Sequence, residues 1–252
     1  MRLQIHFILF IMKTNSIILF FTLTLFCTCL YAQEADWKPL FNGNDLSGWQ
    51  VCGFPKDVAK QYWKVENSVI VANTNGDTDH NYVWLATKQE YQDFGLKLQF
   101  AAFKSSKGNS GLQIRSRYDN DSMYMDGPQV DINPPEPYRV GMMWDETRGV
   151  NRWIFPDLPN GKWVNESMVI GKPQFYYSDD SLQWNSMELI VEGWHIKAWL
   201  NGVLVTDFNV EGILNDQIHR LRNVGEKGVI SLQIHTKDDL KIMYREIYIR
   251  KL

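Results

Sequence analysis

Runs in which apolar and polar residues alternate recur along most of the chain. Segments 94–100, 110–117 and 228–235 keep this period of two, which places successive side chains on opposite faces of a β-strand. Turn residues separate such runs. Asn67-Ser68 divides the apolar halves of one segment, and Asn201-Gly202 follows another; Asn-Gly between alternating runs is a strong hairpin signal. The pattern predicts many short antiparallel strands.

The alternation continues to the C-terminus without a linker, a low-complexity stretch or a repeat after Gln33. No long segment has the 3.6-residue period of an amphipathic helix. Many short strands with turns between them are typical of a β-sandwich. We therefore predict one all-β domain over residues 33–252.

Residues 1–32 have the pattern of a secretory signal peptide. Lys13 is followed by an apolar run, and Ala32 provides a small residue at the cleavage position. The apolar residues before Lys13 are unusual in a signal, so the true start is either Met1 or Met12. A membrane anchor across residues 3–30 is the alternative, which Lys13 and Asn15 disfavour. We expect a secreted or periplasmic protein with no membrane span in its mature chain.

Net charge and cysteine content limit the classes of partner and the covalent cross-links that are possible. The full chain has 26 basic and 29 acidic side chains. Removal of residues 1–32 takes Arg2 and Lys13 and leaves a formal charge of −5, which argues against a nucleic-acid partner. Cys52 is the one cysteine after residue 32, so the mature fold has no internal disulfide. An unreactive thiol is the simpler interpretation of Cys52, and a catalytic thiol is the alternative.

The polar positions of three strands are rich in Arg, Gln, Asn and His rather than Lys, Glu and Thr. They are Gln113, Arg115 and Arg117; Gln129, Asp131 and Asn133; and Gln233 and His235. Such side chains donate and accept hydrogen bonds with hydroxyl groups. The chain also contains 10 Trp residues, whose flat rings suit sugar faces. We interpret this as a polar sheet face with a carbohydrate groove; a solvated face over a Trp-rich core is the alternative.

The strand QVDIN, residues 129–133, limits the chemistry. Laminarinase-like glycosidases have Glu, apolar, Asp, apolar, Glu on one strand, and retaining hydrolysis needs two carboxyl groups about 5–5.5 Å apart. Here Gln129 and Asn133 are amides, and Glu136 follows Pro134-Pro135 outside the strand. Two-carboxylate hydrolysis on this strand is therefore excluded.

Motifs along nearly all of residues 37–252 resemble, in order, those of the 3-keto-disaccharide hydrolase domain family. The opening LFNGNDLSGW resembles the family's LFNG-DLSGW, and GNSGLQIR resembles its GNSGI-R. The matching segments are 37–49, 63–67, 91–94, 108–115, 127–133, 144–149, 184–185, 199–202 and 232–235. The sequence departs from the family at Asp131 for Glu, Asn133 for Asp and Pro128 for an aromatic residue.

The resemblance implies a concanavalin-like jelly-roll sandwich, a location in the bacterial envelope or outside the cell, and action on sugars oxidised at C3. It implies an enzyme that cleaves 3-keto-glycosides, with hydrolysis or lyase release as the outcome. A non-catalytic carbohydrate-binding domain on the same fold is the alternative from another class. An interaction protein with a degenerate site is a third possibility.

A ketone at C3 acidifies the proton on C2, so one base, donors for the enolate oxygen and one acid suffice. His235 is the expected base, and Asp131 either replaces it or orients it. Arg115 is expected at the enolate oxygen, and Glu146 or Asp145 at the leaving group. The substrate-binding set is expected to comprise Gln113, Gln129, Asn133, Trp144, Asp145 and Gln233.

Each of these roles has a structural alternative. His235 is either the base or a structural histidine, and Asp145-Glu146 is either catalytic or an ordinary loop pair. Arg115 either contacts substrate or bridges to Asp131 across strands. These alternatives stay open at the level of sequence.

No cofactor is required by the sequence. Asp119-Asn120-Asp121 and Asp126 make an oxygen-rich loop of the kind that calcium uses, although the spacing matches no complete calcium loop. A divalent cation held by Asp131 and His235 is a second arrangement, which would polarise the ketone. We expect a carbohydrate substrate and leave metal dependence open.

Overall fold

The computed structural model describes residues 37–156 and 163–252, which form an antiparallel β-sandwich. The predicted signal peptide lies outside the described residues. Within them, sixteen strands make two sheets of eight strands each. The all-β class and the sandwich architecture are therefore confirmed.

Sheet A has the strand order β14-β13-β12-β6-β16-β4-β3, with β1 also paired to β16. Its strands are β1 (Lys38–Pro39), β3 (Trp63–Glu66), β4 (Val69–Asn73), β6 (Phe94–Ala102), β12 (Asn185–Glu192), β13 (His195–Leu200), β14 (Val203–Asn209) and β16 (Lys241–Lys251). Strands distant in sequence, such as β6 and β16, are neighbours, so the sheet depends on long-range pairing.

Sheet B has the strand order β11-β10-β9-β7-β15-β5-β2, with β8 paired to β7. Its strands are β2 (Trp49–Gly53), β5 (Val83–Thr87), β7 (Ser110–Asp119), β8 (Tyr124–Asp126), β9 (Pro128–Ile132), β10 (Met143–Asp145), β11 (Arg152–Phe155) and β15 (Val229–Ile234). The strand QVDIN is β9, next to the centre of this sheet.

Helices are short in the part of the chain that the structure describes. They are α1 (Pro55–Val58), α2 (Gln217–Arg222) and two 3₁₀ helices, Pro137–Arg139 and Glu166–Met168. Asp216 caps α2 by accepting hydrogen bonds from the backbone of Ile218 and His219, as N-cap residues do. No helix among the described residues is long and apolar enough to cross a bilayer.

The two predicted hairpins form as the turn residues indicate. Asn67 and Ser68 both have positive φ between β3 and β4, and so do Asn201 and Gly202 between β13 and β14. Positive φ at both central residues is the requirement of a type I′ turn, whose twist matches that of the flanking strands.

The apolar side chains of both sheets meet in one core, which contains Phe94, Leu96, Leu112, Val130 and Ile132 among many others. In β12 burial alternates along the strand, whereas all five residues of β9 are buried. Sheet B is therefore covered on its outer face as well as in the core. The β7–β8 hairpin provides part of this cover, because Met125 packs on Trp84 and Ala86.

Candidate active site

A pocket of about 260 Å³ lies on the outer face of sheet B, beside β9, β10 and the end of β15. Its lining consists of Tyr82, Tyr124, Gln129, Asp131, Arg139, Trp144, Glu146, Asn151, Trp153, Trp163 and His235. Five residues expected at the site meet here: His235, Asp131, Glu146, Gln129 and Trp144. The pocket is slightly smaller than the roughly 300–1,000 Å³ of drug-sized ligand sites, so its size suits about one sugar ring.

The strand register explains the polar floor of this region. Gln129 pairs with Gln113, and Asp131 pairs with Gly111 on the neighbouring strand β7. Gln113 and Gln129 are buried, and their side-chain Oε1 atoms accept no hydrogen bond within the described residues. A buried amide oxygen without a partner is costly. Of the two, Gln129 lines the pocket, so its acceptor is suited to a ligand hydroxyl group.

Gly111 provides the space that Gln129 occupies. A Cβ atom at residue 111 would lie 2.1 Å from Cδ of Gln129. The amide of Gln129 therefore extends across β7 only because residue 111 has no side chain. The glycine of the GNSG motif thus has a specific steric role.

Glu146 is a buried acid at the pocket. It follows β10, and Oε1 accepts a hydrogen bond of 2.6 Å from the Tyr124 hydroxyl. Burial raises the pKa of the Glu146 carboxyl, although the bond from Tyr124 and the charge of His235 act against this. A carboxyl group with a raised pKa retains its proton more readily and can serve as an acid.

Asp131 is held by a cation that sequence reasoning missed. Arg139 donates from Nε to Oδ2 of Asp131 at 2.9 Å and from Nη1 to Glu136 at 2.7 Å. Its guanidinium lies 5.0 Å from the ring centroid of Trp153 and 5.2 Å from that of Trp163. Burial raises the pKa of Asp131 to about 6, against the charge of Arg139.

Chain reversal after Pro134-Pro135 brings Arg139 back to β9. The backbone of Gly141 donates to the carbonyl of Asp131, and that of Asp131 donates to the carbonyl of Met142. In the sequence, Pro134-Pro135 indicates a turn and Arg139 follows it closely. The sequence does not show that this turn brings the arginine back to Asp131.

His235 lies between an acid and a phenol. Its Nδ1 is 3.1 Å from Oδ2 of Asp238, and its Nε2 is 3.1 Å from the Tyr82 hydroxyl. Burial lowers the pKa of His235, but the hydrogen bond and charge of Asp238 outweigh it, so the pKa is raised. With a proton on Nδ1, which lies 3.1 Å from both the Thr236 carbonyl and Asp238, Nε2 is the basic nitrogen and accepts from Tyr82.

Arg115 lies elsewhere, which corrects its expected role. Its φ is +47°, so the alternation of β7 is broken there, as at a β-bulge. The guanidinium donates to the carbonyls of Gln92 and Gly193 at 2.7 Å each and to Asp93 at 2.9 Å. It bridges loops at one end of the sandwich and contacts neither the pocket nor Asp131.

Asp145 also departs from its expected place. It is fully buried and contacts His219 and the backbone N–H of Thr147. Its neighbours Trp144 and Glu146 line the pocket, and the alternation of β10 directs Asp145 the other way.

Three other expected binding residues do not line the pocket. Asn133 follows the end of β9 and donates to Glu136 at 3.4 Å. Gln113 donates to the carbonyl of Met125 at 3.2 Å and is covered by the β7–β8 hairpin. Gln233 is fully buried beside Glu146. Gln113 and Gln233 thus form the layer beneath the pocket.

The acidic loop before β8 is paired with an arginine. Arg148 donates to Asp119 at 2.7 Å and to Asp126 at 2.9 Å from Nε. The Arg148 guanidinium therefore supplies the positive charge that a calcium ion would bring to these carboxylates. Among the described residues, no group of three or more His, Cys, Asp or Glu side chains is arranged to hold a metal ion. A divalent cation at Asp131 and His235 stays a prediction.

Comparison with solved structures shows what the fold resembles. One crystal structure from Parabacteroides distasonis, described as a "putative glycosyl hydrolase", aligns with a TM-score of 0.56 and 17% identity, covering 86% of this chain and 94% of that one. A second from the same organism, described in the same words, has a TM-score of 0.52 and 21% identity over 86% and 99% of the two chains. At these identities the likeness concerns the fold.

Comparison with curated proteins gives no significant match. A family model, that of the 3-keto-alpha-glucoside-1,2-lyase-like domain, matches residues 36–250. This range includes every residue of the pocket and all strand residues of both sheets except Lys251, the last residue of β16. The chain therefore belongs to the 3-keto-alpha-glucoside-1,2-lyase-like domain family.

Proposed function

We propose that this protein cleaves 3-keto-glycosides by removing the proton on C2, next to the ketone. The observation that carries the proposal is the meeting of three titratable side chains, Asp131, Glu146 and His235, in one pocket with Arg139. The pKa of each of the three is raised from its ordinary value. Groups tuned in this way are characteristic of acid–base catalysis.

The first step needs a base. His235 is proposed to take the C2 proton at Nε2, directly or through the Tyr82 hydroxyl 3.1 Å away. Asp238 holds the ring through Nδ1 and stabilises the imidazolium that forms. Asp131 is the second candidate base, because its pKa of about 6 is close to neutrality.

The electron pair left on C2 delocalises onto the ketone oxygen as an enolate. Arg139 takes the role first expected of Arg115, because it is the arginine of the pocket lining and remains charged throughout. Its bonds to Asp131 and Glu136 fix the guanidinium plane. A fixed cation needs little reorganisation as negative charge develops.

The second step breaks the bond between C1 and the leaving oxygen. The enolate re-forms the ketone, a C1–C2 double bond forms, and Glu146 gives its proton to the departing oxygen. Water can then add across the double bond, with OH at C1 and H at C2, to give the free 3-keto sugar. Tyr124 keeps the Glu146 carboxyl in place at 2.6 Å.

The pocket walls suit a sugar. Trp144, Trp153 and Trp163 line it, and indole rings pack on the apolar faces of pyranose rings. The buried amide of Gln129 offers an acceptor for a hydroxyl. We propose carbohydrate as the ligand class, with the protein secreted or periplasmic.

A carbohydrate-binding domain without turnover is the second candidate. One observation favours it: each titratable group already has a protein partner, namely Tyr124, Arg139 or Asp238. Binding alone would use the rings and amides and leave these pairs intact.

The test is product analysis of residues 33–252 with a 3-keto-glucoside beside the parent glucoside, each with and without a chelator. Release of aglycone from the keto sugar alone is expected. Release from both sugars at similar rates would overturn the ketone-dependent route. Binding of both without release would favour the second candidate, and loss of turnover with chelator would establish a metal.

A further inference from the structure

A cluster of charged residues lies behind Glu146, outside the pocket, and two of its members, His219 and Asp145, are fully buried. His219 in α2 is fully buried, with Nδ1 2.8 Å from Oδ1 of Asp216 and Nε2 3.1 Å from Oδ2 of Asp145. Arg152 lies at the margin, 3.7 Å from Asp145 and 3.8 Å from Asp216. Asp145, Asp216 and Arg152 are therefore the three charged residues of this cluster around His219.

The geometry favours a doubly protonated ring. A neutral imidazole donates from one nitrogen and accepts at the other. Both nitrogens of His219 face carboxylate oxygens, which accept when ionised. Only an imidazolium donates to both, so His219 is a buried cation between two anions.

Asp145 connects this cation to Glu146. Its Oδ1 accepts from the backbone N–H of Thr147 at 3.2 Å, which closes an Asx turn around residue 146. The Glu146 N–H donates to the carbonyl of Gly127 at 3.1 Å. The backbone at Glu146 is thereby fixed on both sides, with its carboxyl directed at Tyr124.

We propose that His219 is a positioning residue that, through Asp145, keeps the Glu146 carboxyl directed at Tyr124. This rests on the proposed function only in that Glu146 is taken as the acid of the cleavage. Asp145 is fully buried, so loss of the donor at Nε2 of His219 leaves a buried carboxylate without that hydrogen bond. The carboxylate must then rotate or admit water, and the turn that directs Glu146 loosens.

Two substitutions of His219 distinguish this positioning role from a general contribution to the stability of the fold. In His219→Gln the amide nitrogen takes the place of Nε2 and still donates to Asp145. In His219→Asn it takes the place of Nδ1 and donates to Asp216 alone. His195→Asn is a matched control, because His195 pairs with Asp207 on the exposed side of sheet A.

The first readout is steady-state kinetics on the 3-keto-glucoside. His219→Asn is expected to lower kcat about 10-fold with KM within about 2-fold, because Glu146 acts in the chemical step rather than in binding. His219→Gln is expected to stay within about 3-fold of the wild type, and His195→Asn to be unchanged. The proposal would be overturned if kcat fell equally in His219→Gln and His219→Asn and the fall matched their loss of thermal stability.

The second readout does not depend on turnover. In protein labelled with ¹³C at glutamate carboxyls, the Glu146 signal is assigned by its loss in Glu146→Gln. It is expected to shift or broaden in His219→Asn and to keep its position in His219→Gln. An unchanged signal in folded His219→Asn would overturn the positioning role, whatever the enzyme's substrate proves to be.

If His219→Asn does not fold, the wild type decides the question. Side-chain ¹⁵N spectra at pH 7 are expected to show both nitrogens of the buried His219 protonated. A neutral tautomer there would contradict the assignment. Absence of keto-glycoside turnover in a protein with both expected spectra would count against the proposed function alone.

Discussion

The outer faces of the two sheets are built in opposite ways. On sheet A, β12 exposes Ser186, Glu188 and Glu192 and buries Met187, Leu189 and Val191 on its other face. On sheet B, Gln113, Gln129 and Asp131 lie on the outer face and are as buried as the core. Exposed charges cost little and need no partner, whereas buried polar groups must be satisfied. The second face is therefore covered by other parts of the chain, among them the β7–β8 hairpin and Arg139.

The same contrast separates two histidine–aspartate pairs. His195 and Asp207 form an exposed pair on sheet A, and His235 and Asp238 form a pair at the pocket. Only the second adjoins a phenol and a buried acid, Tyr82 and Glu146. An exposed pair contributes about 0–1 kcal/mol at most. A large loss of turnover on substitution of His235 would therefore reflect its part in the reaction and not the energy of an ion pair.

The largest expected effect is on turnover. His235→Ala should lower kcat on a 3-keto-glucoside by about 10³-fold, within the range of an acid–base group, whereas His195→Ala should change it less than about 2-fold. Glu146→Gln and Glu188→Gln form a second matched pair with the same expectation. Rates of aglycone release measure both. A similar loss in both members of a pair would mean that the pocket has no special role.

The pH dependence of stability gives the next largest effect. The pKa of folded Asp131 is about 6 against an ordinary 3.8, so between these values the native state binds more protons than the unfolded one. Stability then falls as pH rises. The free energy of unfolding of the wild type relative to Asp131→Asn should drop by on the order of 3 kcal/mol from pH 3.5 to 7. Urea titrations across this range measure it, and parallel curves would contradict the burial argument.

The two arginines should respond differently to one conservative change. Arg115→Lys loses several carbonyl contacts and should destabilise the protein by about 2 kcal/mol, with kcat/KM unchanged in the folded fraction. Arg139→Lys keeps the charge but loses the contact with Trp153 and Trp163. It should cost about 1 kcal/mol of stability and about 10-fold in activity. Denaturant midpoints and kinetics together test this, and an activity loss at Arg115 would reverse the assignment.

The smallest expected effect concerns the floor of the pocket. Gly111→Ala should displace the Gln129 amide and raise KM about 5-fold, with a stability loss of about 1 kcal/mol from overpacking. The double variant Gly111→Ala, Gln129→Ser removes the clash. It should regain the stability but not the low KM. If it regains both, Gln129 does not contact the substrate.

Sequence reasoning predicted the strands well because their signals are local. The alternation of segments 94–100 and 110–117 and the turn residues at 67–68 and 201–202 became β6, β7 and two type I′ hairpins. The face of β9 followed from the same alternation, so Gln129 and Asp131 were expected on one side. The alternation of segment 228–235 indicated His235, whereas Glu146 and Trp144 were indicated by the family motifs.

The errors concern residues whose direction depends on distant contacts. Arg115 was expected to follow the alternation of β7, but a positive φ turns it toward Asp93 and Gly193. Asp145 was expected as a binding residue and as the alternative to Glu146 at the leaving group, but it points away from the pocket that Trp144 and Glu146 line. No local pattern in the sequence pointed to Arg139, because it reaches Asp131 only after the chain reverses beyond Pro134-Pro135.

The sequence by itself determined the all-β class, the sandwich and the polar character of β9. These depend on period, turn chemistry and composition, which act over a few residues. Only the tertiary structure decided which charges meet. Asp131 met Arg139 rather than Arg115, and Asp145 met His219 rather than the pocket. The physical reason is that ion pairs and pKa shifts depend on distance and burial in space, and the pairing of strands far apart in the chain sets both.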